Sequence, residues 1–217
     1  MNRFQHVTGV VFDMDGVLVD TSHCHDQAYR CLMNQAGLPS VDYAILAGRS
    51  TREVIASYFP DSSHEEQRKW VAFKQYQALE LIKTADIVYD DTIDVVRSLH
   101  EHGYRLGMGT SASRQSAMMV LERLGLGAVF TSVVTADDVT HTKPDPEIFN
   151  RVMADLDLDP RATLIVEDSE AGVNSGLATG ADVVNVRHQL IRADANGYRG
   201  FYPDLATLRN EILENRP

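Results

Sequence analysis

The feature that most limits the fold is a repeated alternation of short, very apolar runs with stretches that carry helix punctuation. "TGVVFD" near the start, "RLGMGT" (105–110), "VFTSVVT" (129–135), "ATLIVED" (162–168) and "ADVVNV" (181–186) read as five strands. Between them, "DVVRSLHEHG" closes on Gly103, "SAMMVLERLG" on Gly125 and "AGVNSGLATG" on Gly180, while "PEIFNRVMADL" opens with Pro146. Glycine just past a helix and proline in its first turn are the expected stop and start signals. Apolar strands alternating with helices predict an α/β fold, a doubly wound parallel sheet with helices on both faces. Hydrophobic residues are 44% of the 217, enough for such a core.

The alternation fails between about Ser22 and Val88, where no strand is readable. Ser22 is placed to cap a helix through "HCHDQAYRCLMNQA" that stops at Gly37. "TREVIASYF", bounded by Pro60, reads as a second helix, and a long third runs from about His64 to Ala85. On that third helix Val71, Ala78, Ile82 and Ala85 share a face. The expected organisation is an α/β core from residues 1–20 and 90–217, with an all-helical insert at 21–89.

Charge and composition exclude several classes. A formal net charge of -11 disfavours nonspecific nucleic-acid binding and anionic lipid surfaces. No apolar run approaches a membrane span, and the N-terminal apolar stretch is short and runs into acids, so no leader and a cytoplasmic location are expected. Cys24 and Cys31 stand seven apart, which predicts two reduced, partly buried thiols on one helix face. His23, Cys24 and His25 in "SHCHD" point in different directions around a helix and do not form a metal site.

The polar residues that follow the strands carry the chemistry. Asp13 and Asp15 end the first strand, Thr110 the second, Lys143 follows the third in "HTKPDPEIF", and Glu167 and Asp168 end "TLIVED". Ligands of an open parallel sheet bind at its carboxyl edge, so these groups should meet there. Carboxylates converging on a single lysine repel one another unless a cation compensates, and an oxygen-only donor set favours Mg²⁺. The parts suit phosphoryl transfer. Asp13 can form an aspartyl-phosphate, and Asp15 can act as acid and then base. Lys143 with Mg²⁺ can neutralise phosphoryl oxygens. Thr110, the loop through Ser111 and the close turn at Gly16 can cradle the rest.

"DMDGVLVDT", Thr110, "KPDPEIF" and "VEDSEAG" resemble, in order and spacing, the four motifs of the haloacid dehalogenase superfamily. The resemblance covers essentially the whole chain. The insert is similar to the small helical cap of the branch holding sugar-phosphate phosphatases and β-phosphoglucomutase. The resemblance implies that Asp13 is nucleophile and metal ligand. It implies that Asp15 is the acid/base and lends its backbone carbonyl to the metal. Thr110 and Lys143 would hold the phosphoryl group, and Asp168 would bind the metal with Glu167 beside it. Asp15 and Gly16 favour phosphoryl transfer over carbon–halogen hydrolysis, whose enzymes resemble a pattern lacking the second aspartate.

The expected activity is Mg²⁺-dependent hydrolysis of a small phosphorylated metabolite, a sugar phosphate by resemblance. A phosphomutase is the alternative, because His25 falls where the mutase has a cap-hinge histidine. The mutase lysine before a cap glycine is missing, since Ala47 precedes Gly48, so water is the expected acceptor. Arg49 or Arg52 could replace that lysine, and Arg49 and His25 are candidate substrate contacts together with Gly16 and Ser111. His141 is expected beside the site. "YDDT", Tyr89 to Thr92, stands where the family has Pro-Gly at the second hinge, and is expected to touch no chemistry. A non-catalytic module binding a phosphorylated metabolite is the alternative of another class. The sequence leaves oligomeric state unread.

Overall fold

The computed structural model describes residues 3–46, 48–188 and 196–214. Among these residues six strands form one parallel sheet: β1 (Gly9–Phe12), β2 (Arg105–Gly109), β3 (Ser132–Val134), β4 (Thr163–Glu167), β5 (Asp182–Val186) and β6 (Tyr198–Tyr202). Their order is β3-β2-β1-β4-β5-β6. The chain thus winds outward from β1 in one direction and then in the other, and the reversal lies between β1 and β4. Alternate residues serve opposite faces. Val10, Phe12, Leu164 and Val166 join one apolar cluster, and Val11 and Ile165 join the other.

Among the described residues eight α-helices cover the sheet or form the insert: α1 (Ser22–Gln35), α2 (Thr51–Tyr58), α3 (His64–Thr84), α4 (Thr92–Glu101), α5 (Arg114–Leu124), α6 (Glu147–Asp155), α7 (Glu170–Ala178) and α8 (Leu205–Leu213). Helices α4, α5 and α8 bury Val96, Val120 and Leu208 against one face, and α6 and α7 bury Phe149 and Val173 against the other. Helices α1 to α3 follow β1 directly, with α1 packed along α3. Their starts are set by sequence: Ser50 with Glu53, and Ser63 with Glu66, form reciprocal capping boxes at α2 and α3.

Four sequence expectations change. First, β6 was not anticipated: "YRGFY" is a half-exposed edge strand, broken by Gly200 at φ 112°, so it lacks a buried strand's continuous apolar signal. Second, β3 is three residues long instead of seven, because Val129 and Phe130 pack into the core from a turn. Third, Ser22 is the first residue of α1, and Thr21 is the N-cap without a capping side-chain bond. The Ser22 hydroxyl donates to Asp20 and the Thr21 hydroxyl to Asp15. Fourth, the thiols differ. Both are free, but Cys24 is buried beside the core while Cys31, two turns out along α1, is exposed. The buried stripe of α1 runs through Ala28, Tyr29, Leu32 and Met33, which leaves Cys31 at its edge.

Helix α6 lies unusually close to β2. A Cβ on Gly107 would stand 2.3 Å from Val152 Cγ1 and 2.8 Å from Leu156 Cδ1. The branched Val152 cannot swing clear. Gly107→Ala should therefore destabilise the protein by about 1–3 kcal/mol. Urea unfolding with an unchanged m-value would register it as a shift in midpoint.

Candidate active site

The register decides which groups meet. Phe12 pairs with Met108 on one side and Val166 on the other, so Asp13, Gly109 and Glu167 come next, abreast, at the carboxyl edge. The Asp13 amide continues the ladder, donating to the Val166 carbonyl at 2.9 Å. Lys143, from the loop before α6, reaches across all three. Its Nζ donates to Asp13 Oδ1 at 2.5 Å, to the Gly109 carbonyl at 2.8 Å and to Glu167 Oε1 at 2.7 Å. The ammonium is buried, with the Phe149 ring 4.7 Å from Nζ. Burial opposes its charge, but the two carboxylates win and hold it above the ordinary lysine range.

Negative charge still exceeds positive. Burial, with Glu167 and Asp15 adding repulsion, pushes Asp13 up to about 7 despite the Lys143 ammonium. Asp168 is raised well above the usual carboxylate range, by burial and then by Glu167 and Asp13. One ligand atom from each of Asp13, Glu167 and Asp168 lies within 4.8 Å of the others. A hard, all-oxygen set with uncompensated charge fits a divalent cation. Glu167 is otherwise engaged: its Oε2 accepts from the Asp168 amide at 3.0 Å and the Ser169 amide at 3.2 Å. The glycines of both acidic motifs make room for these groups. A Cβ on Gly16 would lie 2.0 Å from Asp168 Oδ2, and one on Gly172 would lie 1.8 Å from Glu167 Oε1.

Asp15 belongs to a second cluster that reaches into the insert. It accepts from the Thr21 hydroxyl, and His25 Nε2 is 3.6 Å from its Oδ1. Lys74 of α3 stands 2.7 Å from His25 Nδ1 and over the Tyr29 ring at 4.3 Å. A charged Lys74 donates to Nδ1, which leaves the proton on Nε2, turned toward Asp15. Burial alone would raise Asp15, but His25, Thr21 and Lys74 together hold it below the usual range. Burial, then Lys74, lowers His25, and burial brings Lys74 down to about 7. The Tyr43 ring stacks on His25 at 6.3 Å and 13°.

The expected catalytic, substrate-contact and metal-ligand residues line one cavity of about 1060 Å³ except Glu167, which is buried. Thr110 is buried at its floor, and its Oγ1 accepts from the Ala112 amide at 3.1 Å. Ser111 Oγ donates to the Gly48 carbonyl at 3.4 Å, so core and insert touch beside the site. Thr142 donates to Glu53 Oε1 at 2.5 Å, a second such contact. Arg49 is exposed on the cavity wall; Arg52 and His141 do not line it. Ala47 lies outside the described residues. Sequence reasoning missed Lys74 and Tyr43. Lys74 carried a signal, since it lies three after Val71 and four before Ala78, a lysine interrupting an apolar stripe.

A family model described as haloacid dehalogenase-like hydrolase matches residues 10–186. Fructose-1-phosphate phosphatase YqaB of Escherichia coli is 29% identical over 85% of this chain and 98% of its own length. A phosphorylated carbohydrates phosphatase of Thermotoga maritima is 31% identical over 83% and 86%. The crystal structure of β-phosphoglucomutase from Clostridium difficile superposes with a TM-score of 0.81 at 21% identity, over 96% of this chain and 98% of that one. The chain belongs to the haloacid dehalogenase-like hydrolases. It is an enzyme of the phosphatase type.

Lys74 also marks a conflict between stability and site. Its folded value near 7 lies below the ordinary 10.5, so between these values the unfolded chain binds the additional proton. Stability therefore rises with pH across that window, and the burial penalty is largest below about 7. Lys74→Met should relieve that penalty at pH 6, offset in part by the His25 Nδ1 left without its donor, for a net gain of about 1 kcal/mol. The gain should shrink as pH approaches 10, as read by melting temperature at matched buffers, and turnover should fall.

Proposed function

We propose that the protein is a Mg²⁺-dependent phosphatase that hydrolyses a small phosphorylated metabolite, a sugar phosphate, through an aspartyl-phosphate on Asp13. The observation that carries this reading is Lys143 joining Asp13 and Glu167 beside Asp168, with Asp15 in a separate, differently tuned cluster. The two carboxylates sit in separate clusters, which suits separate roles as nucleophile and acid/base, and a bound cation would offset the burial and repulsion that raise Asp13. The relatives named for sugar-phosphate hydrolysis support the substrate class. An acidic chain without a membrane-length apolar helix among the described residues suits a cytoplasmic metabolic enzyme with neither nucleic-acid nor membrane partners.

Asp13, Asp168 and the Asp15 backbone carbonyl would hold the metal, with Glu167 fixing Lys143 and the Asp168 backbone from below. When bound, Mg²⁺ supplies neutralising charge to phosphoryl oxygens. Lys143 and Thr110 orient the phosphoryl group over Asp13. An Asp13 carboxylate oxygen attacks phosphorus as the ester P–O bond breaks, and Asp15 gives its proton to the departing oxygen. The substrate's own negative charge favours that proton on Asp15, against the pull of His25. Water then attacks the phosphorus. Asp15 takes its proton, the Asp13–phosphorus bond breaks, and inorganic phosphate leaves. Tyr43 and Arg49 of the insert line the same cavity.

Asp13→Asn should lower turnover of p-nitrophenyl phosphate by more than about 1,000-fold with the fold retained. EDTA should abolish turnover and Mg²⁺ restore it. Turnover persisting in Asp13→Asn, with contamination excluded, would remove the covalent route, and full activity in EDTA would remove the metal.

A second reading, a phosphomutase, is favoured by one observation: His25 does face Asp15, backed by Lys74. Hydrolysis remains the preferred reading because a lysine before Gly48 is missing, while Arg30 is paired with Asp26 at 2.8 Å and Lys74 is engaged by His25 at 2.7 Å. Given a hexose 1-phosphate with a bisphosphate primer, the protein should release free phosphate faster than it forms hexose 6-phosphate. A coupled assay run beside a phosphate assay measures both, and the reverse ratio selects the mutase.

A further inference from the structure

Two chain segments join the helical insert to the core, and Arg187 fastens both. They run side by side: the Asp20 amide donates to the Ile87 carbonyl at 2.7 Å, and Val19 bridges Val88 in antiparallel fashion. The Thr92 hydroxyl, buried, donates to the Leu18 carbonyl at 2.8 Å. Arg187 sits just past β5, on the carboxyl edge. Its Nε donates to the Val17 carbonyl at 3.1 Å, two residues after Asp15. Its Nη2 donates to Asp91 Oδ1 at 2.7 Å, and its guanidinium carbon lies 3.6 Å from the centre of the Tyr89 ring. Asp91 is anchored in turn, since Oδ2 accepts from the Leu205 amide at 2.7 Å and the Ala206 amide at 3.1 Å of α8.

The backbone of Arg187 is left-handed, with φ 64°. A non-glycine residue keeps this conformation only where its surroundings over-determine it, and such residues gather at functional sites. Here the Arg187 amide is held by the Tyr202 carbonyl at 3.0 Å, and the turn aims the side chain across both connections. "YDDT" thus has a use: Tyr89 and Asp91 provide the face and the carboxylate that a planar guanidinium can engage together.

We propose that Arg187 is a positioning residue, which clamps the two connections to the sheet and thereby sets where Asp15 stands relative to Asp13. It touches neither substrate nor reacting atoms. It acts through Val17 on the loop that carries Asp15, and through Asp91 and Tyr89 on the base of the insert that carries His25 and Lys74. The kinetic side of the proposal rests on the phosphatase reading above; the clamp itself does not.

The test compares wild type with Arg187→Lys by amide hydrogen exchange and by p-nitrophenyl phosphate kinetics with Mg²⁺. Lysine keeps the charge for Asp91 but cannot also reach Val17 or stack on Tyr89. The Asp20 and Thr92 amides should exchange at least about 10-fold faster while β4 is unchanged. Per folded molecule, kcat should fall about 10- to 100-fold with KM altered less than about 3-fold. A kcat held at the wild-type level overturns the proposal, whatever happens to melting temperature. So does a lower kcat with unaltered exchange. If wild type turns over no phosphate ester, the phosphatase reading fails, and exchange alone decides the clamp, unaltered rates overturning it. Should Arg187→Lys not fold, Asp91→Asn, which keeps an oxygen for α8, is read by the same measurements with the same outcomes.

Discussion

The buried ammonium of Lys143 is the contact on which the sheet edge depends. It is 2% exposed and directs its bonds to Asp13, the Gly109 carbonyl and Glu167. These acceptors lie at the ends of three adjacent strands, β2, β1 and β4. Removing one partner of a buried charged cluster leaves the others uncompensated, which costs more than the contact itself contributes. Lys143 thus ties together the ends of the central strands and opposes the burial that raises the group proposed as nucleophile.

Around that contact the structure separates two carboxylates that are only two positions apart in sequence. Asp13 faces Lys143, Glu167 and Asp168, and burial, then Glu167 and Asp15, raises it. Asp15 faces Thr21 and His25, which lower it. The sharp turn at Gly16, with φ 85°, makes this possible, and a side chain there would strike Asp168. The cost of the second cluster is carried by the insert, where Lys74 is buried and held near neutrality. Core and insert are thereby electrostatically linked through His25, while Arg187 spans the two connections through Val17, Asp91 and the Tyr89 ring.

Much of this was legible in the residues. Strand ends with Asp13, Thr110 and Glu167-Asp168 announce a carboxyl-edge site, because a buried parallel strand is apolar throughout and its first polar residue marks where it surfaces. Glycines at 16 and 172 were readable as part of motifs, although their physical reason, the room taken by Asp168 and Glu167, was not. The edge strand β6 was missed because half-exposed strands carry mixed polarity, and the difference between Cys24 and Cys31 because helical spacing gives a direction, not a depth.

The sequence by itself determined the α/β class, the helical nature of the insert and the chemical types gathered at the site. These follow from local periodicity and from residues that have few other reasons to stand at strand ends. Tertiary structure alone decided the atom-level partnerships: Lys143 on the Gly109 carbonyl as well as the two carboxylates, Lys74 behind His25, Thr142 on Glu53, and Arg187 across both connections. The partners in these pairs are separated by between 24 and 170 positions. Local pattern carries no information about such a distance, because it is closed only when the strands take their order and register and the insert folds back onto the sheet edge.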